Sequence, residues 1–227
     1  MMLGRHLLRG GKKVPIGTVW DFTGSAIFEV PASGNYKITL VGAGGKGGNG
    51  SSATTCKGPN NVGNISSRSV SGSGGGGGGS GQTVTQTYSL KSKNKLSIIV
   101  GASNGAATKI TGAVTLTANG GSAGVNGNTN PNYPDTSTPA CNTPGPNSGY
   151  GGSGGTLYNP GTSGGNSESC GGPSAGGTGG VSAFGGNVGR GGNGGGGKGS
   201  GCSGNTSGPW NGSNGYPGIC RIEYLGR

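Results

Sequence analysis

The sequence predicts an all-β fold: a small antiparallel β-sandwich framework with long glycine-rich insertions that form a polyglycine II helix bundle. Three observations lead there. Apolar residues are few, 27% of 227, yet they sit in a few dense patches with period-two alternation, the mark of strands with one buried face. A last apolar segment, Ile219 to Leu225, stands about a hundred residues beyond the others; a lone strand is not stable and must pair back into a sheet. Between the patches, glycine recurs as Gly-Gly-x, a period of three.

In chain order, residues 1–16 form an N-terminal arm with Leu3, Leu7 and Leu8 spaced for one apolar helical face and Gly4, Gly10 and Gly11 limiting its length. Residues 17–225 form the framework domain, with strands at about 17–41, 82–118 and 218–225 and glycine-rich insertions at about 42–81 and 119–215. Thr18 to Phe22 opens the first strand region. Ala26, Phe28 and Val30 alternate with Ile27 and Glu29, and Pro31-Ala32-Ser33-Gly34 is a turn. Tyr36, Ile38 and Leu40 alternate with Lys37 and Thr39; Val84, Gln86 and Tyr88 with Thr83, Thr85 and Thr87; Leu96, Ile98 and Val100 with Lys95, Ser97 and Ile99. Thr108–Ile110 and Val114–Leu116 read as a short hairpin. Turn connections and the lack of helical periodicity select an antiparallel sandwich. Trp20, Phe22, Phe28 and Tyr36 are assigned to its core.

Glycine makes up 61 of the 227 residues, against a usual frequency of ~7%. Runs such as Gly44-Gly45-Lys46-Gly47-Gly48-Asn49, Gly151-Gly152-Ser153-Gly154-Gly155-Thr156 and Gly176-Gly177-Thr178-Gly179-Gly180-Val181 match the three-residue turn of an extended left-handed helix without internal hydrogen bonds. Its backbone groups need outside partners. Chains without Cβ can lie side by side and supply them, with each x residue at an edge. Collagen would require Gly-X-Y with abundant proline, and only 12 prolines are present. A flexible linker is the plain alternative for Gly72 to Gly81, with its unbroken run Gly74 to Gly79.

Chemistry is thinly represented. Five acidic residues (Asp21, Glu29, Asp135, Glu168, Glu223) and one histidine, His6, form no evident acid/base pair. The cysteines at 56, 141, 170, 202 and 220 include no C-x-x-C, so zinc-ligand spacing is missing. Gly42 to Gly47 fits G-x-G-x-x-G, but the sequence after it does not start a helix; Gly192 to Lys198 fits G-x-x-x-x-G-K, but Gly199 follows where Ser or Thr is needed. The reading is a non-enzyme with no cofactor and no metal. The net charge of +11 favours anionic surfaces or serves solubility. Arg9-Gly10-Gly11 and Arg190-Gly191-Gly192 lack interleaved aromatics, so nucleic acid is not the expected partner. No stretch reaches the roughly 20 apolar residues of a membrane span, and residues 1–13 lack a signal-peptide core. The expectation is cytoplasmic synthesis in a host without secretion.

Trp20-Asp21-Phe22, Phe28-Glu29-Val30-Pro31-Ala32-Ser33-Gly34 and Tyr36 to Gly45 resemble the opening of the glycine-rich domain of bacteriophage tail and tail-fibre proteins. Thr115 to Gly121 resembles its middle, and Gly212 to Leu225, with Asn214-Gly215-Tyr216-Pro217-Gly218-Ile219 at its heart, its closing strand. The chain is also loosely similar to the polyglycine II adhesins at the tips of some long tail fibres. The resemblance implies a virion protein on the particle's outer surface that attaches to a host cell-surface receptor, a glycan or an outer protein. A purely structural virion component (head decoration, head fibre or tail-tip subunit) is the alternative. Aromatic side chains in exposed loops give contact area at low entropy cost, with Asn for hydrogen bonding. The expected receptor-binding residues are therefore Asn132, Tyr133, Tyr150, Tyr158, Asn159, Phe184 and Trp210. For Phe184, packing against a neighbouring glycine helix is the stronger expectation. The arm, through Arg5, Leu7, Leu8, Arg9, Lys12 and Lys13, is expected to dock on another virion protein. A homo-oligomer, with a trimer as its candidate form because fibres are commonly threefold, completes the expectation.

Overall fold

The structure is a computed structural model, and it describes residues 13–52, 54–59, 65–70, 74–127, 175–191 and 210–227. All of the regular structure there is strand: β1 (Val19–Phe22), β2 (Ala26–Glu29), β3 (Gly34–Val41), β4 (Thr54–Pro59), β5 (Ile65–Val70), β6 (Thr83–Leu90), β7 (Lys95–Ile99), β8 (Thr108–Gly112), β9 (Leu116–Ala118) and β10 (Ile219–Gly226).

Two four-stranded antiparallel sheets form a sandwich-like framework. The first has the order β1-β10-β3-β6 and the second β2-β7-β8-β9. The last strand is central: Ile222 pairs with both Trp20 and Ile38. The alternation read from the sequence sets the faces. Tyr36, Ile38, Leu40, Cys220, Ile222 and Tyr224 turn inward from the first sheet to meet Phe28, Leu96, Ile98, Ile110 and Leu116 of the second. Phe28 and Tyr36 are buried, while Trp20 and Phe22 pack partly buried against them, with Trp20 and Phe28 ring centroids 5.1 Å apart. The buried Tyr36 hydroxyl is satisfied by donating to the Ala32 carbonyl at 2.6 Å, as a polar tip in a core requires.

Four strands run on into glycine-rich segments. Beyond β3, the amides of Gly42, Gly45 and Gly48 donate to the carbonyls of Gln82, Gly79 and Gly76, so 42–48 lies antiparallel to the segment leading into β6. Gly44, Gly47 and Gly50 donate to Tyr216, Ser213 and Trp210 in the segment leading into β10. Past β9, Gly121, Gly124 and Gly127 donate to Ala43, Lys46 and Asn49, while Gly79 and Gln82 donate to Ser122 and Asn119. A further segment joins through Gly177 to Gly75 and Gly180 to Gly78. Every one of these ladders advances by three residues.

The physical reason is the missing Cβ. Side chains hold packed sheets about 10 Å apart. Where they vanish, the layers close to hydrogen-bond distance, and the continuation of the second sheet bonds directly to that of the first. A Cβ at Gly45, Gly75, Gly78, Gly121, Gly124, Gly212 or Gly215 would fall on a neighbouring carbonyl. Residues 74–82 are buried throughout without one large apolar side chain. Thr108 ties the junction: its hydroxyl donates to the Val41 carbonyl at 2.7 Å and accepts from the Gly101 amide at 3.1 Å.

The antiparallel hairpin β4–β5 interrupts the segment read from the sequence as one glycine-rich insertion, 42–81. Its strands carry few apolar residues, Ile65 and Val70 among Ser, Thr and Lys, so the alternation that betrays the framework strands is faint.

Candidate ligand-binding sites

Strand alternation sends Lys37, Thr39, Thr85, Arg221 and Glu223 to the outer face of the first sheet, where cross-strand register sets Lys37 beside Glu223 and Arg221 between Asp21 and Thr39. Asp21 takes Arg221 in a fork: Nε to Oδ1 at 2.7 Å and Nη2 to Oδ2 at 2.6 Å. Those bonds hold the Asp21 carboxyl below its ordinary value against the opposing effect of burial, and hold the Arg221 guanidinium more firmly protonated. Lys37 Nζ lies 3.8 Å from Glu223 Oε2. The Thr39 and Thr85 hydroxyls meet at 3.0 Å. Thr83 Oγ1 is buried with no hydrogen-bond partner.

The turn after the 175–180 segment lies over this face. Ser182 shapes it: its carbonyl accepts from the Gly185 amide, and its hydroxyl accepts from the Phe184 amide at 3.2 Å. Gly185 and Gly186 take positive φ of 88° and 57°, which glycine adopts without strain. Gly189 anchors the far side, donating to the Pro217 carbonyl and accepting from the Gly81 amide. The turn sets the Phe184 ring 5.0 Å from the Arg221 guanidinium carbon, a cation–π contact. Ala183 and Phe184 then bound a cavity of ≈ 280 Å³ whose floor and walls include Thr39, Thr83, Thr85 and the Lys37–Glu223 pair.

A second surface lies at the opposite end. Trp210 is 47% exposed and its carbonyl accepts from Gly50, at the end of the glycine segments away from the sandwich. On the same segment Gly212, Gly215 and Gly218 are buried, while Asn211, Ser213, Asn214 and Tyr216 face solvent. Asn side chains finish the backbone bonding there: Asn49 Oδ1 accepts from the Gly212 amide at 3.0 Å, and Asn126 Oδ1 from the Asn49 amide at 2.7 Å.

Of the residues expected from sequence to contact a receptor, Phe184 and Trp210 fall among the described residues, and the structure does not bring them together. Phe184 packs on Arg221. Asn132, Tyr133, Tyr150, Tyr158 and Asn159 lie outside the described residues, as do Arg5, Leu7, Leu8, Arg9 and Lys12 of the arm; Lys13 is exposed. Sequence reasoning missed Thr39, Thr83, Thr85 and Arg221 as site residues. The alternating Thr83-x-Thr85-x-Thr87 was visible, but the turn that roofs it was not. Cys220 faces the core, and burial pushes its thiol up to about 12. The chain matches no protein-family model and no curated protein.

Proposed function

We propose that the chain is a non-enzymatic host-attachment protein on the outer surface of a bacteriophage particle, a tail-fibre tip or baseplate-associated adhesin. In this reading the glycine segments form a polyglycine II bundle that acts as a stiff spacer. The observation that carries it is the continuation of β3, β6, β9 and β10 into segments cross-bonded every third residue. At ~3.1 Å per residue, residues 42–50 extend about 25 Å from the sandwich. Such a rod costs little entropy on binding because it is ordered beforehand, and it displays Trp210 at the far end. Residues 1–16 would dock the chain on another virion protein. The fit with the glycine-rich tail-fibre family rests on the sequence signatures at Trp20–Gly45 and Gly212–Leu225.

The test is binding of fluorescently labelled protein to intact cells of a broad panel of bacterial strains, read by flow cytometry. Saturable binding to a subset of strains is expected, weakened about tenfold or more when an aromatic anchor is removed by Trp210→Ala or Tyr133→Ala. Binding to no strain, with the chain still incorporated into particles, contradicts attachment and leaves a structural virion component.

A further inference from the structure

We propose that the cavity beside Phe184 on the outer face of the first sheet binds a single neutral sugar unit. The inference is independent of the role given to the rod, because the cavity lies at the sandwich end, away from Trp210.

Size comes first. At ≈ 280 Å³ the space sits at the lower limit of small-molecule clefts, about 300–1,000 Å³, which suits one ring and not an extended ligand. Charge comes next. Both cations that line it are engaged, Arg221 by Asp21 through two hydrogen bonds and Lys37 by Glu223. An anion would compete with carboxylates already in place, and a cation would meet Arg221 and Lys37. A neutral ligand needs no rearrangement of either pair.

Hydrogen-bonding chemistry narrows the class further. The remaining polar groups are threonine hydroxyls, which donate and accept alike and so match the hydroxyls of a sugar in either sense. The Thr39 and Thr85 hydroxyls bond each other at 3.0 Å, which leaves one proton and free lone pairs of the pair for a ligand hydroxyl, and Thr85 is exposed. Ala183 and Phe184 form the apolar wall, opposite the hydroxyls, where the C–H face of a sugar ring can lie. Because Phe184 is fixed by Ser182 and by Arg221, the wall is set before the ligand arrives.

The experiment is an NMR titration of the full chain, labelled at threonine methyls and phenylalanine rings, with glucose, galactose, mannose and N-acetylglucosamine, each up to ~100 mM, and with glucuronate as the charged comparison. The expected result is saturable shifts at Thr39, Thr83, Thr85 and Phe184 for at least one neutral sugar, with affinity in the millimolar range (about −4 kcal/mol at 1 mM). Thr85→Val, which keeps shape and removes the hydroxyl, should weaken binding about tenfold, and Thr85→Ser should restore it. No shifts at these residues with any neutral sugar, equal affinity in Thr85→Val, or a preference for glucuronate overturns the proposal. Absence of cell binding with sugar binding intact would remove the adhesin reading alone; cell binding with no shifts in the cavity would remove this one alone.

Discussion

Gly78 faces the carbonyl oxygen of Gly45 with no room between them for a Cβ. The Gly78 carbonyl in turn accepts from the Gly180 amide at 2.9 Å, and a Cβ at Gly191 would fall on it as well. One residue thus touches three neighbouring segments through backbone alone. Glycine here is a packing residue, in the sense that leucine is one in a sandwich core.

The first prediction follows from that geometry. Gly78→Ala should destabilise the protein by at least about 1–3 kcal/mol, the range for an extra methyl forced into a tightly packed interior. Here the obstacle is backbone, which cannot swing aside as a side chain does. Gly24, with nothing within 4 Å of a built Cβ, is the control, and Gly24→Ala should stay within about 0.5 kcal/mol. Urea midpoints of the two variants check both values.

Acid should act on the Asp21–Arg221 fork. The Asp21 carboxyl is held below its ordinary 3.8 by the Arg221 hydrogen bonds. Its contribution is therefore complete above pH 3.8 and lost as pH falls through the lower folded value. Both side chains are over a third exposed, 42% and 38%, so the effect is that of a screened surface pair, about 0.2–1 kcal/mol. The stability difference between wild type and Asp21→Asn should be measurable at pH 7 and shrink below pH 3.8, and it should fall with added salt.

Cys220 should be inert in the folded protein. Burial, helped by the charge of Asp21, raises its thiol from 9.0 to about 12, and the thiolate is the reactive form. Stability from the neutral thiol is fully present below 9.0 and lost as pH rises through about 12. Iodoacetamide at pH 8 followed by peptide mass spectrometry should leave Cys220 unlabelled in the native protein and label it fully in denaturant. Labelling in the native state would place the thiol outside the core.

Much of the framework was legible because period-two alternation survives in each strand. Tyr36-Ile38-Leu40 and Leu96-Ile98-Val100 are buried as their spacing predicts, and Ile219 to Leu225 returns to the sheet because an isolated strand has nowhere else to pair. The hairpin β4–β5 was not legible, since its strands lack an apolar stripe. The candidate site was legible only in pieces. Phe184 stood out as an aromatic among glycines, but its contact with Arg221 joins residues that only the folded register brings together. Thr83 carried no local sign that its hydroxyl would be buried and unpartnered.

Hydrogen–deuterium exchange by mass spectrometry on peptides spanning 42–50 and 74–82 tests the central idea most directly. The amides of Gly45, Gly48, Gly76 and Gly79 each donate to a backbone carbonyl, so they should exchange as slowly as those of Ile38 and Leu40 in β3. Exchange of these glycines at the rate of an unstructured chain, while β3 stays protected, would contradict a rod built from cross-bonded glycine segments.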